Sequence, residues 1–241
     1  MVRPRAARKK VEDEHDLPTP VAKYLDRALR GNMGPIVRVD LAQTGEILLG
    51  KRWFPFQATQ RFTTRPPGFV WDARVRLLPL VYATVRDSYL NGSASMRARA
   101  GGIVPLVNQS GNPQLAAAAL QRYLGEAVWF PTALRPGPAL AWTPLDGRRA
   151  RASLRDGQTT VSLEFRFSEA GDVEEVFAPD RFMEVSGRYE PRPWLVRCAD
   201  HRELSGVRIP TWCEVEWQLP AGPMAYWRGR IADIRYTFDQ R

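Results

Sequence analysis

Residues 83–100 read ATVRDSYLNGSASMRARA, and the pair at the centre, Asn91-Gly92, decides how the stretch folds. Asn-Gly between alternating apolar residues is the strongest short-range hairpin signal, because both central residues of a type I′ turn take positive φ. With Leu90 opposite Ser93, Tyr89 meets Ala94, Asp87 meets Met96, Val85 meets Ala98 and Ala83 meets Ala100 on one face. Arg86, Ser88, Ser95, Arg97 and Arg99 take the other face. One face is therefore apolar, alternates large and small side chains, and holds a single carboxylate, Asp87. Burying a carboxylate without a partner is costly. Asp87 is then either satisfied by an arginine or backbone N–H groups, or it is a functional group whose pKa is raised by apolar surroundings, leaving a proton for acid–base work.

The same period-two pattern runs outward from this hairpin. Phe69, Trp71, Ala73, Val75 and Leu77 alternate with Val70, Asp72, Arg74 and Arg76, the signature of a half-buried strand, and strand-like patterning also covers Ile36 to Phe62. Downstream, turns at Asp146-Gly147, Asp156-Gly157 and Ala170-Gly171 separate strand-like runs, as in a meander. Two-residue loops at the first two would place Ala139, Ala141 and Thr143, then Ala150, Ala152 and Leu154, then Val161, Leu163, Phe165 and Phe167 on one face. The opposite face would then pair Arg149 with Glu164 and Trp142 with Arg151.

Only two stretches read as helix. Residues 17–30 place Thr19 as N-cap, Pro20 at the first helical position, Val21, Leu25, Ala28 and Leu29 on one face with Tyr24 beside it, and Gly31 as the stop. Residues 113–127 follow an Asn112 N-cap and present Leu115, Ala119, Leu120, Tyr123 and Leu124. The fold class is thus mostly β: a strongly curved antiparallel sheet or half-barrel with two or more helices on its concave side. Alanine clusters on the inner face of two hairpins, and an interior tiled with alanine must be filled to core density by the chain's own helices, by a bound molecule, or by both.

With 241 residues, one hydrophobic core is the default, and residues 17–241 read as a single β-rich domain. The net charge of +9 is carried mainly by arginine, since only Lys9, Lys10, Lys23 and Lys51 are lysine. Residues 1–16 form a charged tail, basic from Arg3 to Lys10 and then acidic through Asp16, of disorder-like composition. Such a tail reads first as a solvated leader, with contact to nucleic acid or peripheral contact with an anionic membrane as the alternatives. The remaining arginines are scattered and show no nucleic-acid-binding signature. The first thirty residues contain no apolar secretory segment, which places the protein in the cytoplasm, and the uncharged run Gly101–Gln121 is too interrupted by Pro105, Gly111 and Pro113 to span a membrane. A two-residue loop at Ser205-Gly206 would set Cys198 opposite Cys213, whereas a bulged loop would shift them by one; in a cytoplasm they are reduced core thiols.

Recognisable chemistry is sparse. Only His15 and His201 could serve as a triad base; Cys198 and His201, three apart on a strand, point to opposite faces and cannot chelate together; and no glycine-rich phosphate loop follows a strand. No metal and no cofactor is expected. Glu126 stands four residues after Arg122, in place for a helical ion pair, with a catalytic role as the alternative. Asp87 and Glu126 could form a two-carboxylate site if they converge on one cavity.

Several stretches resemble an uncharacterised bacterial family known only as a domain of unknown function. They are Trp53-Phe54-Pro55-Phe56-Gln57-Ala58, Pro67-Gly68-Phe69-Val70-Trp71-Asp72-Ala73, Asp87-Ser88-Tyr89 with Gly92 and Met96, Arg122-Tyr123-Leu124-Gly125-Glu126 with Trp129 and Pro131, and Gly206-Val207-Arg208-Ile209-Pro210. In layout the meander also resembles the lipoprotein-carrier superfamily, which implies an open sheet wrapped around helices and able to hold acyl chains. The function expected is therefore binding of a hydrophobic or amphiphilic, lipid-like small molecule, with Phe69, Trp71, Asp87, Tyr89, Met96, Tyr123 and Trp129 as lining. The alternatives are a cyclase, isomerase or hydrolase acting on an apolar substrate through Asp87, with or without Glu126, and a structural or interaction module filled entirely by its own helices.

Overall fold

Asn91 and Gly92 both take positive φ, 50° and 77°, and the hairpin they close has the register that this turn dictates: Tyr89 opposite Ala94, Asp87 opposite Met96, Val85 opposite Ala98 and Ala83 opposite Ala100. The computed structural model describes residues 17–30 and 33–239. The tail expected over residues 1–16 and the helix stop expected at Gly31 lie outside the described residues.

Among the described residues, thirteen strands form one antiparallel sheet. Its first wing comprises β1 (Ile36–Leu49), β2 (Arg52–Thr64), β3 (Pro67–Leu78), β4 (Val81–Leu90), β5 (Ser93–Ala100) and β6 (Val104–Ser110). The second comprises β7 (Leu140–Pro144), β8 (Arg149–Asp156), β9 (Thr159–Phe167), β10 (Val173–Val185), β11 (Arg188–Leu204), β12 (Val207–Leu219) and β13 (Gly222–Phe238). Within each wing the strands are neighbours in chain order, and β13 pairs with β1 to join the wings. Helix α1 (Thr19–Ala28) lies against β8, β9 and β12, while α2 (Pro113–Glu126) packs against β3–β5 on one side and β9–β11 on the other. The sheet therefore curls around α2 as a half-barrel. At the junction of the wings Gly45 faces Gly229; a Cβ on Gly45 would sit 2.1 Å from the Arg228 carbonyl oxygen, so only glycine permits the backbones to approach this closely.

The helices follow their sequence signals. Asn112 Oδ1 accepts from the Gln114 and Leu115 N–H groups and caps α2. Helix α1 starts one residue earlier than the Thr19 cap predicts: the Pro18 carbonyl accepts from Val21 and Ala22, so extended Pro18 occupies the cap position and no side chain closes it. Leu120, Tyr123 and Leu124 of α2, with Val21, Tyr24, Leu25 and Ala28 of α1, are buried in a continuous apolar core.

The second wing corrects two registers. β8 and β9 meet around Gly157-Gln158, which moves the pairing by two residues: Arg151, rather than Arg149, faces Glu164, and Ala150, Ala152, Leu163 and Phe165 keep their inward faces because the side-chain period is two. At Asp146-Gly147 the loop spans four residues, with the N–H groups of both Leu145 and Asp146 donating to Arg149 O. Trp142 consequently pairs with Ala152 instead of Arg151, and the parity of β7 reverses. Leu140 and Trp142 point inward while Ala139, Ala141 and Thr143 are exposed. The Trp142 ring lies 5.1 Å from that of Phe165, and burying an indole and a leucine removes far more apolar surface from water than burying three small residues. At Ser205-Gly206 the loop has two residues and Cys198 faces Cys213, both as free buried thiols.

Asp172, in the turn between β9 and β10, ties α1 to the sheet. It accepts from Arg27 Nε of α1 at 3.0 Å and from Arg208 Nε and Nη2 of β12 at 2.8 and 2.9 Å. Burial alone would raise its pKa, but the hydrogen bonds from Arg208 and Arg27 outweigh that and bring the carboxyl down to about 2. Because the folded value lies below the unfolded one, this stabilisation is present above an unfolded pKa of about 3.9 and fades as pH falls toward 2. Asp172→Asn is expected to cost about 1–2 kcal/mol at pH 7 after solvent screening, with the two proteins converging near pH 2, as read by urea unfolding across that range.

Candidate functional site

On the concave side of the first wing, consecutive cross-strand partners form a row: Gln60 of β2, Trp71 of β3, Asp87 of β4, Met96 of β5 and Gln109 of β6. The row results from alternation alone, since each is the inward member of its strand at the same level. Gln43 of β1 extends the polar group and accepts a 2.9 Å hydrogen bond from Trp71 Nε1.

Helix α2 lies over this row and delivers a guanidinium to it. Arg122 Nη1 donates to Asp87 Oδ2 at 2.6 Å, Arg122 Nε donates to Glu126 Oε1 at 2.9 Å, and Gln60 Nε2 donates to Glu126 Oε2 at 2.8 Å. The guanidinium also lies over the Phe69 and Trp71 rings, at 4.9 and 5.3 Å. Asp87 and Glu126 thus converge, but on an arginine between them rather than on open space. Burial disfavours the charge on Arg122, yet the fields of Glu126 and Asp87 more than compensate and raise its pKa. Glu126 shifts the other way from most ion-paired carboxylates: burial raises its pKa, and the hydrogen bonds from Arg122 and Gln60 only partly oppose this.

The second wing supplies a second guanidinium. In β10 the register with β11 shifts between Ala178 and Arg181, and the extra residue in this bulge aims Arg181 inward. Its guanidinium lies 4.8 Å from the centre of the Trp194 ring and 5.3 Å from that of Trp217. Trp194 Nε1 donates to Tyr226 Oη at 3.0 Å, and Tyr226 stacks on Trp217. Arg181 senses Arg122, Asp87 and Glu126, and burial lowers its pKa, but it enters no ion pair among the described residues. Arg181 Nε, Gln43 Nε2 and Gln60 Oε1 are enclosed polar atoms without a hydrogen-bond partner in the protein. Three such atoms around one cluster are unusual, because buried polar groups are nearly always satisfied.

Of the residues expected as lining, Phe69, Trp71, Tyr89, Tyr123 and Trp129 are all buried, whereas Asp87 and Met96 are half-buried. Phe69 and Trp71 border Arg122; Tyr89 Oη donates to Asp156 Oδ2 at 2.7 Å; Tyr123 packs between Phe62 and Phe130; and Trp129 packs against Phe62. Beyond the helix, Ile47, Phe54, Leu219, Met224 and Trp227 are half-buried apolar side chains on the middle strands. Arg181, Gln43, Gln60 and Tyr226 were not anticipated from sequence. The available signal was Pro179, since proline inside a strand marks an edge or a bulge.

Fold and site together define a curved antiparallel half-barrel whose inner helix carries an ion-paired arginine, with a second, unpaired arginine facing it. The chain belongs to a family of unknown function, DUF6920, whose profile matches residues 15–236. No curated protein matches it. Among solved structures it is similar to a DUF1329 family protein from Desulfovibrio piger, at 11% identity over 92% of this chain and 95% of that one, with a TM-score of 0.46. It is also similar to a putative outer membrane lipoprotein-sorting protein domain from Vibrio parahaemolyticus, at 6% identity over 92% and 93% with a TM-score of 0.44. A LolA superfamily protein from Nitrosomonas europaea shares 14% identity over 92% and 94%, with a TM-score of 0.37.

Replacing Arg122 by methionine leaves two half-buried carboxylates facing each other without their cation and is expected to cost about 3 kcal/mol in chemical denaturation. Since the folded-state pKa of Glu126 is raised, its contribution to stability is full below the ordinary value of 4.5 and declines as pH rises through the folded value. The stability difference between wild type and Glu126→Gln should therefore move against the wild type from pH 4 upward, and a flat difference would contradict this account.

Proposed function

We propose that this protein binds an amphiphilic small molecule on the concave face of its sheet, with an acidic head group at Arg181 and an apolar body along Ile47, Phe54, Met224 and Trp227. The observation that carries this reading is Arg181: a guanidinium lying over two neighbouring indole rings, with an enclosed Nε that bonds to nothing, in the field of two carboxylates already turned toward Arg122. A carboxylate or phosphate supplies the planar or tetrahedral oxygen pair that a guanidinium binds best. The half-buried apolar side chains on the middle strands offer a surface for a tail, and the unpartnered Gln43 Nε2 and Gln60 Oε1 offer a donor and an acceptor nearby.

Acid–base catalysis through Asp87 has less support from the geometry, because Asp87 Oδ2 is engaged by Arg122 Nη1 at 2.6 Å and the Arg122–Glu126 contact fills the space beside it.

Native mass spectrometry of the purified protein, with extraction of whatever travels with it, reports an occupied site directly. Binding of a fluorescent long-chain carboxylic acid and of the matching alcohol then separates head-group recognition from tail burial. Arg181→Gln is expected to weaken binding of the acid by about tenfold to a hundredfold, the worth of one charged hydrogen bond, and to leave the alcohol nearly unchanged. Equal losses for both probes, or no binding of either by the wild type, would refute the proposal.

A further inference from the structure

Large apolar side chains left in water are concentrated at one end of the sheet. Leu78, Leu80 and Val81 stand in the β3–β4 connection, Ile103, Val104 and Leu106 at the β5–β6 connection, and Leu49 at the β1–β2 connection. Leu80 is 93% exposed and Ile103 83%. The β3–β4 and β5–β6 connections lie side by side, since Ala83 pairs with Ala100 and the Gly101 N–H donates to Tyr82 O at 2.8 Å. Leu80 also has φ of 65°, a left-handed conformation that suits glycine or asparagine and strains a leucine. Its side chain joins no part of the core, so neither packing nor turn geometry accounts for a leucine here.

Behind these apolar tips, the outer face of the same strands is cationic. A groove of about 670 Å³ is lined by Arg74, Arg86, Arg97 and Arg99, with Asp72 its only carboxylate. Asp72 is engaged by Arg86, and the Arg74 guanidinium lies 4.0 Å from the centre of the Tyr82 ring. Arg76, Arg97 and Arg99 are exposed and enter no ion pair among the described residues.

From this arrangement we infer that the β3–β4 and β5–β6 rim docks on an anionic lipid bilayer, the leucine and isoleucine tips entering the interface and the arginines meeting the phosphates. A contiguous exposed apolar patch marks an interaction site, and cations placed just behind it match the layering of a bilayer, with apolar chains below and negative head groups above. Nucleic acid would reward the arginines but not the apolar tips. No helix among the described residues is long and apolar enough to cross a membrane, and the inferred contact is made by loops. The rim also lies at the strand ends that carry Ile47 and Phe54, so docking would bring the apolar strip of the concave face toward the bilayer. The docking surface is independent of Arg181 and stands or falls separately from the ligand proposal.

Vesicle flotation of the full chain tests it. Wild type is expected to float with vesicles of phosphatidylcholine and phosphatidylglycerol, far less with phosphatidylcholine alone, and less at high salt. Leu80→Asp with Ile103→Asp, and separately Arg97→Glu with Arg99→Glu, should each reduce flotation at least about tenfold. Both pairs are exposed, so thermal unfolding should match wild type, and Arg181→Gln should float normally. Failure of the wild type to float, or undiminished flotation of the Leu80/Ile103 variant, which would assign binding to the N-terminal tail, overturns the proposal. So would a wild-type dimer that the Leu80/Ile103 variant converts to monomer without any vesicle binding, because the rim would then cover a second copy of the chain.

Discussion

The interior depends on one cation. Arg122 reaches from α2 to Asp87 on β4 and back to Glu126 one turn along the helix, and Gln60 on β2 completes the set. An isolated carboxylate on the inner face of β4 would be prohibitively expensive to bury; an arginine that hydrogen-bonds it, and whose flat face rests on Phe69 and Trp71, makes that position habitable. The same contacts set how α2 lies against the first wing. Since α2 also packs on β9–β11, the orientation of the helix decides where the second wing can close. A buried ion pair is weak evidence for net stability; here the pair joins elements more than thirty residues apart in sequence.

Most of the concave face is filled by protein. The alanines of β4 and β5 lie on strands packed against α2, β8 with Ala150 and Ala152 lies against α1, and the large aromatics join them in one buried core. What stays open is local: a strip of half-buried apolar side chains on the middle strands and an arginine that the second wing brings in without a counter-ion. This distribution separates two tasks. Arg122 of α2 and its partners hold the fold together, the polar atoms with nothing to bind lie around that same cluster, and the half-buried apolar strip of Ile47, Phe54 and Met224 continues to the far end of the strands. The exposed apolar turns lie at that same end of the first wing, so ligand recognition and surface attachment are argued from different residues with different chemistry.

Much of the first wing was legible residue by residue. The Asn91-Gly92 turn determines which partners face each other from Leu90 to Ala100, because a type I′ turn admits only one register. The alternation of β3 and the Asn112 cap follow in the same way from local chemistry, whereas the register of Cys198 with Cys213, open in the sequence between a two-residue and a bulged loop, is that of the two-residue loop. The second wing was less legible. Asp146-Gly147 carries the same local signal as a two-residue turn, yet the loop there has four residues, and its length is settled by the burial of Trp142 against Phe165 rather than by the turn itself. Where two turn geometries differ by a few tenths of a kilocalorie, an indole brought into the core outweighs them.

Sequence by itself determined the two helices, the wet and dry faces of β3, β4, β5, β8 and β9, and the fact that Asp87 points inward, because these depend on periods of two and 3.6 residues and on the φ preferences of a few residues. It also contained the i,i+4 relation between Arg122 and Glu126. Only the tertiary structure decided that Arg122 would meet Asp87 as well, that a bulge after Ala178 would turn Arg181 toward the same interior, and that three apolar turns would gather on one rim. Those features require the curl of the sheet to bring distant strands to one place, and curl accumulates from small twists, bulges and close glycine contacts along thirteen strands. No window of the chain contains that sum.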